Sequence, residues 1–214
     1  MSSELKSRRE QEKKARHETI LDAAEQVFSD KGYERTSMDD IARQANLSRA
    51  LLYVYFKDKA AIQRGILLRA GESLRLRFAA ACQQVDTGLA QISAIGRAYY
   101  QFSLDQPDYF GALTQAASAI QDADDEQTEQ MICSESDTMA LMVAAIEKGL
   151  SDGSLNRDRI TDPFNTALYL RGALHGVIML CQQKINPTGP LADYPKEDLI
   201  EHTIVMLVSS IAAE

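Results

Sequence analysis

The residue types that most often carry catalysis or bind metals are few in this chain and lie far apart. The three histidines, His17, His175 and His202, fall in three different predicted helices. The sequence has no closely spaced pair of metal ligands, no serine in a nucleophile-elbow motif and no glycine-rich loop that could cradle a phosphate. It therefore predicts no enzyme, no metal site and no cofactor.

Residues 36–59 instead predict two short helices joined by a tight turn. Thr36 or Ser37 can cap the first helix, with an aspartate three positions later in a capping-box arrangement. Asn46 follows where the chain must turn sharply, and asparagine tolerates the left-handed conformation; Ser48 can then cap the second helix. The apolar positions expected to face inward are Ile41, Ala42, Ala45, Leu47, Leu52 and Phe56. This spacing is typical of a helix-turn-helix, whose second helix enters the major groove of DNA.

The surrounding residues resemble the DNA-binding domain of the TetR family of bacterial regulators. The resemblance is specific over about residues 13–65 and weaker beyond them. Many members carry glycine where this chain has Asn46, a change that the turn geometry permits. The matching residues are Ile20, Leu21, Ala23, Ala24, Phe28, Gly32, Tyr33, Thr36, Ser37, Met38, Ile41, Ala42, Leu47, Ser48, Arg49, Leu52, Tyr53, Tyr55, Phe56 and Lys59.

The resemblance implies a double-stranded DNA operator and a set of side chains that contact it. The residues implied to face base edges are Arg49, Ala50, Leu51 and Val54. Those implied to hold phosphates are Thr36, Ser37, Ser48, Tyr53, Tyr55 and Lys59.

The net charge of −8 is unevenly distributed along the chain. Residues 1–64 contain 13 Lys and Arg against 11 Asp and Glu, whereas residues 65–214 contain 10 against 20. DNA affinity depends on local phosphate contacts, so the mildly basic N-terminal part matters more than the total. We expect residues 1–12 to form a frayed or disordered arm, whose basic side chains either reach phosphates or are simply solvated.

The rest of the chain predicts an all-α fold in two domains. Residues 1–58 would form the arm and a three-helix helix-turn-helix domain, and residues 59–214 a helical ligand-binding and dimerisation domain. The further helical patterns cover about residues 13–30, 59–82, 88–105, 107–121, 126–150, 163–184 and 195–213. Gly32 is placed to end the first helix, and Asp162 with Pro163 to begin the one at 163.

A helical sensor domain needs a pocket, and pockets are mostly apolar with a few polar anchors. Our candidates are the aromatic, leucine, methionine and histidine positions of the inner helices, although each of them can equally be plain core. They are Tyr99, Phe102, Tyr109, Phe110, Leu113, Met139, Met142, Tyr169 and His175. Phe102, Phe110 and Met142 are the first choices, and Tyr169 and His175 could supply hydrogen bonds. No Lys or Arg clearly faces this region, so we expect a neutral or weakly polar, partly aromatic or lipid-like effector.

In the TetR family the last two helices pair with their copies in a homodimer. Here Ile204 and Leu207 lie on the apolar stripe of the last helix, and Gly172 and Gly176 would let helices approach closely. Internal packing alone could explain the same pattern, but a palindromic operator favours the dimer.

The leading hypothesis is a ligand-responsive transcriptional regulator, most simply a repressor. The alternative is a helical small-molecule-binding or interaction protein without specific DNA binding. No run of about 18 apolar residues predicts a membrane span, and the N-terminus lacks an apolar signal segment. The three scattered cysteines, Cys82, Cys133 and Cys181, suit a reducing compartment. We therefore expect a cytoplasmic protein.

Overall fold

The computed structural model describes residues 2–120, 126–182 and 194–213, and the regular structure in these ranges is helical. The predicted all-α fold is confirmed; a single isolated antiparallel bridge joins Leu155 and Ala212. The helices are α1 (Ser2–Lys31), α2 (Met38–Gln44), α3 (Arg49–Tyr55), α4 (Lys59–Gln83), α5 (Gly88–Asp105), α6 (Pro107–Ile120), α7 (Glu126–Asp152), α8 (Pro163–Gln182) and α9 (Lys196–Ile211). The predicted extensions of α6 to residue 121 and of α8 to residue 184 lie outside the described residues.

The N-terminal arm was predicted to be frayed or disordered, and the second alternative is wrong for residues 2–12, because α1 begins at Ser2. This segment is rich in Glu, Lys, Arg and Gln, which are good helix formers. Its side chains can also pair along one face, as Arg8 Nε does with Glu12 Oε1 at 3.0 Å. A polar composition therefore excludes a core position for this segment without excluding a helix.

The ends of most helices follow signals within the adjacent residues. Gly32 ends α1 with φ of +79°, a left-handed conformation that glycine adopts without steric cost. Asp162 Oδ1 accepts a hydrogen bond from Phe164 N at 2.8 Å and so caps α8, as predicted. Thr87 caps α5 in the same way through Ala90 N. The next residue, Gly88, packs closely on α7: a β-carbon at this position would lie 2.1 Å from Gly149 N, so only glycine fits.

The chain divides into two compact units. The first contains Met1–Ala70 with Gly111–Met131, and the second contains Gly71–Phe110 with Ile132–Glu214. The division falls within α4, which contributes residues 59–70 to the first unit and residues 71–83 to the second. The predicted domain boundary between residues 58 and 59 coincides with the start of α4 and stays a prediction.

The core of the first unit is formed by apolar faces of α1 to α4. Because α1 packs on α2 and α2 packs on α3, the helix-turn-helix is held against the longer first helix. The buried side chains are Ile20, Leu21, Ala24 and Val27 of α1, Ile41 and Ala42 of α2, Leu52 of α3, Phe56, and Ile62, Ile66 and Leu67 of α4.

The second unit has its own core, in which α5, α8 and α9 pack against one another. The buried apolar residues at i, i+3 and i+4 spacing on these helices explain the contact. They include Ile92, Ile95 and Phe102 of α5, Leu170, Leu174 and Ile178 of α8, and Ile200, Ile204, Leu207 and Ile211 of α9.

Candidate nucleic-acid interface

The second helix of the helix-turn-helix, α3, has one buried side and one open side. Leu52 is fully buried and anchors the helix to the core of the first unit. The exposed residues of α3 are Arg49, Ala50, Tyr53 and Val54, and Leu51 and Tyr55 are half-buried. Val54 is 73% exposed. A guanidinium next to small apolar groups is suited to base edges in a major groove, where it can bind guanine and contact thymine methyl groups.

The turn between α2 and α3 has a defined backbone geometry. Asn46 has φ of +55°, so the predicted left-handed conformation is confirmed. Leu47 N donates to Ala42 O at 2.9 Å and Asn46 N donates to Arg43 O at 3.2 Å. These two hydrogen bonds form a Schellman motif, which satisfies the last carbonyls of α2 and fixes the direction in which α3 leaves it.

Two serines cap the helices at the exposed end of this motif. Ser37 Oγ accepts from Asp40 N at 3.2 Å, and Ser37 N donates to Asp40 Oδ2 at 3.1 Å, which completes the capping box. Ser37 Oγ also donates to Asp40 Oδ2 at 2.7 Å. Ser48 Oγ accepts from Leu51 N at 3.2 Å. A hydroxyl that accepts one bond keeps a proton to donate, so Ser48 retains the chemistry of a phosphate contact.

Two of the predicted phosphate contacts have their polar groups turned inward. Thr36 is only 4% exposed, and its Oγ1 donates to Gly32 O at 2.9 Å. Lys59 Nζ donates to Tyr33 O at 2.7 Å and to Thr36 O at 2.9 Å, and lies 4.2 Å from the centroid of the Tyr33 ring. Both side chains therefore hold the loop between α1 and α2.

Arg49, the first residue of α3, has defined partners on its own surface. Its Nη1 lies 3.1 Å from Asp39 Oδ2 in α2, and its Nη2 lies 3.5 Å from the Tyr53 hydroxyl. The Arg49 Cζ is 5.6 Å from the centroid of the Tyr53 ring, close enough for a cation–π interaction. The guanidinium is thus oriented while its outer edge stays in solvent.

A second arginine joins α4 to α1 within the first unit. Arg69 donates to Glu18 Oε2, Asp22 Oδ1 and Glu25 Oε1 at 2.5, 2.8 and 3.0 Å, and to Glu18 O at 2.9 Å. Burial raises the pKa of Glu18, but the hydrogen bond and charge of Arg69 outweigh it and hold that pKa below its usual value. The arginine therefore fixes the first part of α4 to the helix that supports the helix-turn-helix.

In the second unit, aromatic rings and a histidine from four helices form a separate cluster. The Tyr99 hydroxyl of α5 lies 2.8 Å from Nδ1 of His175 in α8. Phe110 of α6 lies 5.6 Å from the Tyr99 ring and 5.7 Å from the His175 ring, and Phe78 of α4 lies 6.2 Å from Tyr99. Burial raises the pKa of Tyr99 to about 12 and, together with the charge of Arg171, lowers the pKa of His175. We call Phe78, Tyr99, Phe110 and His175 the aromatic cluster.

The remaining predicted effector residues occupy different environments. Phe102 is fully buried, Met139 and Met142 are buried, and Tyr109 is half-buried, all within the second unit. Leu113 belongs to the first unit. The prediction that Tyr169 supplies a hydrogen bond to an internal effector is wrong for this structure, because its side chain is 55% exposed. It lies on the outer face of α8.

Three residues have roles that the sequence-based predictions did not give them; Asp39 was predicted only as an alternative carboxylate of the capping box. Phe78 continues the apolar stripe of α4 after Leu74, so helical spacing alone could have identified it. The contacts of the other two residues gave no such signal. Asp39 binds an arginine 10 residues away in the sequence, and Arg69 binds carboxylates at least 44 residues away.

Across the described ranges, no helix is long and apolar enough to cross a membrane. The same residues contain no group of three or more His, Cys, Asp or Glu arranged to hold a metal ion.

Two family models match this chain. The model described as bacterial regulatory proteins, tetR family, matches residues 20–64. The model described as tetracyclin repressor-like, C-terminal domain, matches residues 92–207, which is more than half of the chain.

Relatives and solved structures agree with these models. A negative transcriptional regulator of the biofilm operon icaADBC, IcaR from Staphylococcus aureus (strain Newman), is 46% identical over 43 residues. The match covers 20% of this chain and 23% of IcaR, so the chain spans about a quarter of that relative's length. The TetR family regulator PfmR from Thermus thermophilus has a TM-score of 0.65 and 23% identity, covering 89% of this chain and 97% of its own. FadR from Bacillus subtilis, solved in complex with stearoyl-CoA, has a TM-score of 0.68 and 17% identity, covering 90% and 98%. At these identities the two structures show a shared fold.

Proposed function

Because this chain belongs to the TetR family of bacterial regulatory proteins, we propose that it is a transcriptional repressor controlled by a small molecule. It binds a palindromic operator as a homodimer in the cytoplasm and leaves the operator when an effector occupies the second unit. The observation that carries the proposal is the open side of α3, where Arg49 and Val54 are exposed while Leu52 anchors the helix. An exposed helix held in this way can enter a major groove without rearrangement.

We assign the DNA contacts according to the side chains that α3 and its caps present. Those proposed for base edges are Arg49, Ala50, Leu51 and Val54; those proposed for phosphates are Ser37, Ser48, Tyr53 and Tyr55. Thr36 and Lys59 are omitted, because their hydrogen bonds support the loop that precedes α2. Phosphate contacts set the register on the duplex, and base contacts set the sequence preference.

The outer faces of α8 and α9 support the proposed homodimer. Gly172 and Gly176 face open space, since a β-carbon at either position would meet nothing within 4 Å. The exposed large apolar residues of these helices are Phe164, Leu168, Tyr169, Leu180, Val205 and Met206. Together with two open glycines, this surface is suited to close helix packing against a second copy.

We expect a charge at Ile204 or Leu207, on the apolar stripe of the last helix, to give monomers or insoluble protein, and this stays a prediction. Both side chains are buried within their own chain, where α9 packs on α5 and α8. Val205 and Met206 are exposed on the opposite face of α9, about half a turn around the helix from Ile204 and Leu207, and we place the proposed interface on that face.

The aromatic cluster supports an effector that is largely apolar and carries a hydrogen-bonding group. Phe78 and Phe110 offer apolar surface, while Tyr99 and His175 hold one another through a hydrogen bond that a ligand can replace. Burial disfavours the charged forms of both groups, which suits a neutral ligand group at this position. FadR, whose structure contains an acyl-CoA, shares this fold, and we propose a lipid-like or aromatic molecule for this chain.

A gel-shift experiment on the DNA that flanks the gene of this protein tests the proposal. We expect a discrete complex that survives excess mixed-sequence duplex, with two protomers per site by mass. Arg49→Ala should weaken the discrete complex by about tenfold or more while binding to the mixed-sequence duplex persists, and the circular dichroism spectrum should match the unaltered chain. Binding of equal strength to the flanking DNA and to the mixed-sequence duplex would instead support a helical binding protein that does not read DNA.

A further inference from the structure

The first turn of α2 carries two adjacent aspartates with different partners. Asp40 completes the capping box with Ser37 and also binds Lys31 Nζ at 2.7 Å. Asp39 makes neither contact, and its Oδ2 binds Arg49 Nη1 at 3.1 Å. Because Asp40 already serves the helix cap, the carboxylate of Asp39 acts on α3 rather than on its own helix.

Arg49 is held on two sides by this carboxylate and by Tyr53. The Tyr53 hydroxyl lies 3.5 Å from Nη2, and the Tyr53 ring lies beneath the guanidinium at 5.6 Å. A guanidinium has five N–H donors, so these contacts leave a free edge for a bidentate hydrogen bond. An arginine on an exposed recognition helix is ordinarily a flexible side chain, whereas Asp39 and Tyr53 both contact this one.

We propose that Asp39 is a positioning residue that aims Arg49 at a guanine base in each operator half-site. The inference rests on the proposed function, since it specifies how the proposed recognition helix reads one base pair. Guanine presents two acceptors, O6 and N7, in the major groove, and an arginine that approaches edge-on binds both. Asp39 itself touches no DNA in this arrangement.

The charges at this site favour a base over a phosphate as the target of Arg49. The Asp39–Arg49 pair has no net charge, so it gains little from the phosphate charge and the release of counterions. The Asp39 carboxylate lies 3.1 Å from the guanidinium. If Arg49 bound a backbone phosphate, this carboxylate would be brought close to the phosphate and would be repelled by its negative charge. A directional pair of hydrogen bonds to a neutral base carries no such penalty.

Selection from a random duplex library tests the inference with the full-length protein. The unaltered chain, Asp39→Asn, Arg49→Ala and Arg49→Lys are each used to select sequences, and base frequencies are read at every selected position. The unaltered chain should select guanine at one position of each half-site. Arg49→Ala should reduce that preference by about tenfold or more, and Asp39→Asn should reduce it several-fold at the same position while the other positions keep their preferences.

Salt dependence gives a second readout that a purely structural role would not change. Asp39→Asn frees the charge of Arg49 for phosphates, so binding to mixed-sequence duplex should strengthen. For this variant the slope of log affinity against log salt concentration should become more negative by about 0.9, the value for one added phosphate contact. Glu34→Gln makes the same charge change in the loop before α2 and serves as the matched control; its guanine preference should equal that of the unaltered chain.

Three outcomes would overturn the inference. An unchanged guanine preference in Asp39→Asn means that Asp39 does not position Arg49. A stronger preference means that the carboxylate competes with the base. An equal loss at all positions, accompanied by a lower melting temperature, means that Asp39 only stabilises the fold. If the unaltered chain selects no sequence at all, the proposed function fails together with the inference.

Discussion

Replacing Arg69 by glutamine should destabilise the first unit, and this loss of stability should decrease in acid as Glu18 takes up a proton. The side chain is 20% exposed and binds Glu18, Asp22 and Glu25. Arg69→Gln keeps most of the side-chain volume but leaves three carboxylates close together. A hydrogen bond to a charged group contributes about 1.5–3 kcal/mol when desolvated, and solvent screening of the exposed Asp22 reduces its share. We expect a loss of about 2 kcal/mol in the free energy of unfolding.

The pH dependence follows from the lowered pKa of Glu18. In the unfolded chain this carboxyl takes up a proton near its ordinary pKa of 4.5, whereas in the folded chain it stays ionised to a lower pH. Its contribution to stability is therefore present above the unfolded pKa and is lost as the pH falls through the folded pKa. The difference in the free energy of unfolding between the unaltered chain and Arg69→Gln should be largest at neutral pH and should decrease as the pH falls below the unfolded pKa of Glu18.

Thermal unfolding by circular dichroism measures the effect, and hydrogen exchange of the α1 amides assigns it to the first unit. A loss of about 2 kcal/mol corresponds to a decrease of about 4–8 °C in melting temperature for a chain of this size. Arg75→Gln is the matched control, because Arg75 lies on the same helix and binds the exposed Glu72 three residues away; its effect should be smaller. Equal effects of the two substitutions, or a difference that is constant with pH, would refute the reasoning.

Three further results are expected from single substitutions. Asn46→Gly should keep the turn and leave stability nearly unchanged, whereas Asn46→Val should cost about 1–2 kcal/mol because a branched residue resists positive φ; urea unfolding compares them. Met206→Glu should give folded monomers in sedimentation experiments, whereas Ile204→Glu should unfold the chain, since Met206 is exposed and Ile204 is buried; a folded dimer in the first case would exclude this interface. The pKa of His175 is lowered in the folded chain. As the pH falls below 6.5, the unfolded chain therefore binds a proton at this histidine before the folded chain does, and the free energy of unfolding decreases. His175→Gln should flatten that part of the stability profile.

Sequence reasoning succeeded where the deciding interaction lies within a few residues. The left-handed conformation of Gly32 and Asn46 and the cap at Asp162 follow from residue type and immediate neighbours. The capping box was predicted with two alternatives at each position, and the structure selects Ser37 and Asp40. Such local rules account for these helix ends.

Sequence reasoning failed where two faces of one helix are both apolar. Helix α9 carries Ile204 and Leu207 on one side and Val205 and Met206 on the opposite side, and spacing alone does not say which side the chain covers with its own helices. Here α5 and α8 cover Ile204 and Leu207. The same limit applies to Tyr169, whose residue type suited a pocket but whose position faces outward.

The assignment of Lys59 stays a prediction, because a lysine near DNA-binding residues suggests a phosphate contact but this one has internal partners. The backbone carbonyls of Tyr33 and Thr36 compete for the same ammonium group and lie within 2.9 Å of it. Lys31 and Arg49 are likewise bound to aspartates. Much of the positive charge near the helix-turn-helix is therefore used within the first unit, and the electrostatic part of DNA affinity has to come from elsewhere.

The first half of α1 is the best source of that charge, because Arg9, Lys13, Lys14 and Arg16 are exposed there on a continuous helix. We expect the double substitution Lys13→Gln with Lys14→Gln to make the slope of log affinity against log salt less negative by about 1.8, the value for two phosphate contacts. Lys59→Gln should lower the melting temperature, since it leaves loop carbonyls without their donor, and should keep the slope. If Lys59→Gln flattens the slope and the α1 substitutions do not, the lysine contacts phosphate despite its internal hydrogen bonds, because only a phosphate contact releases counterions.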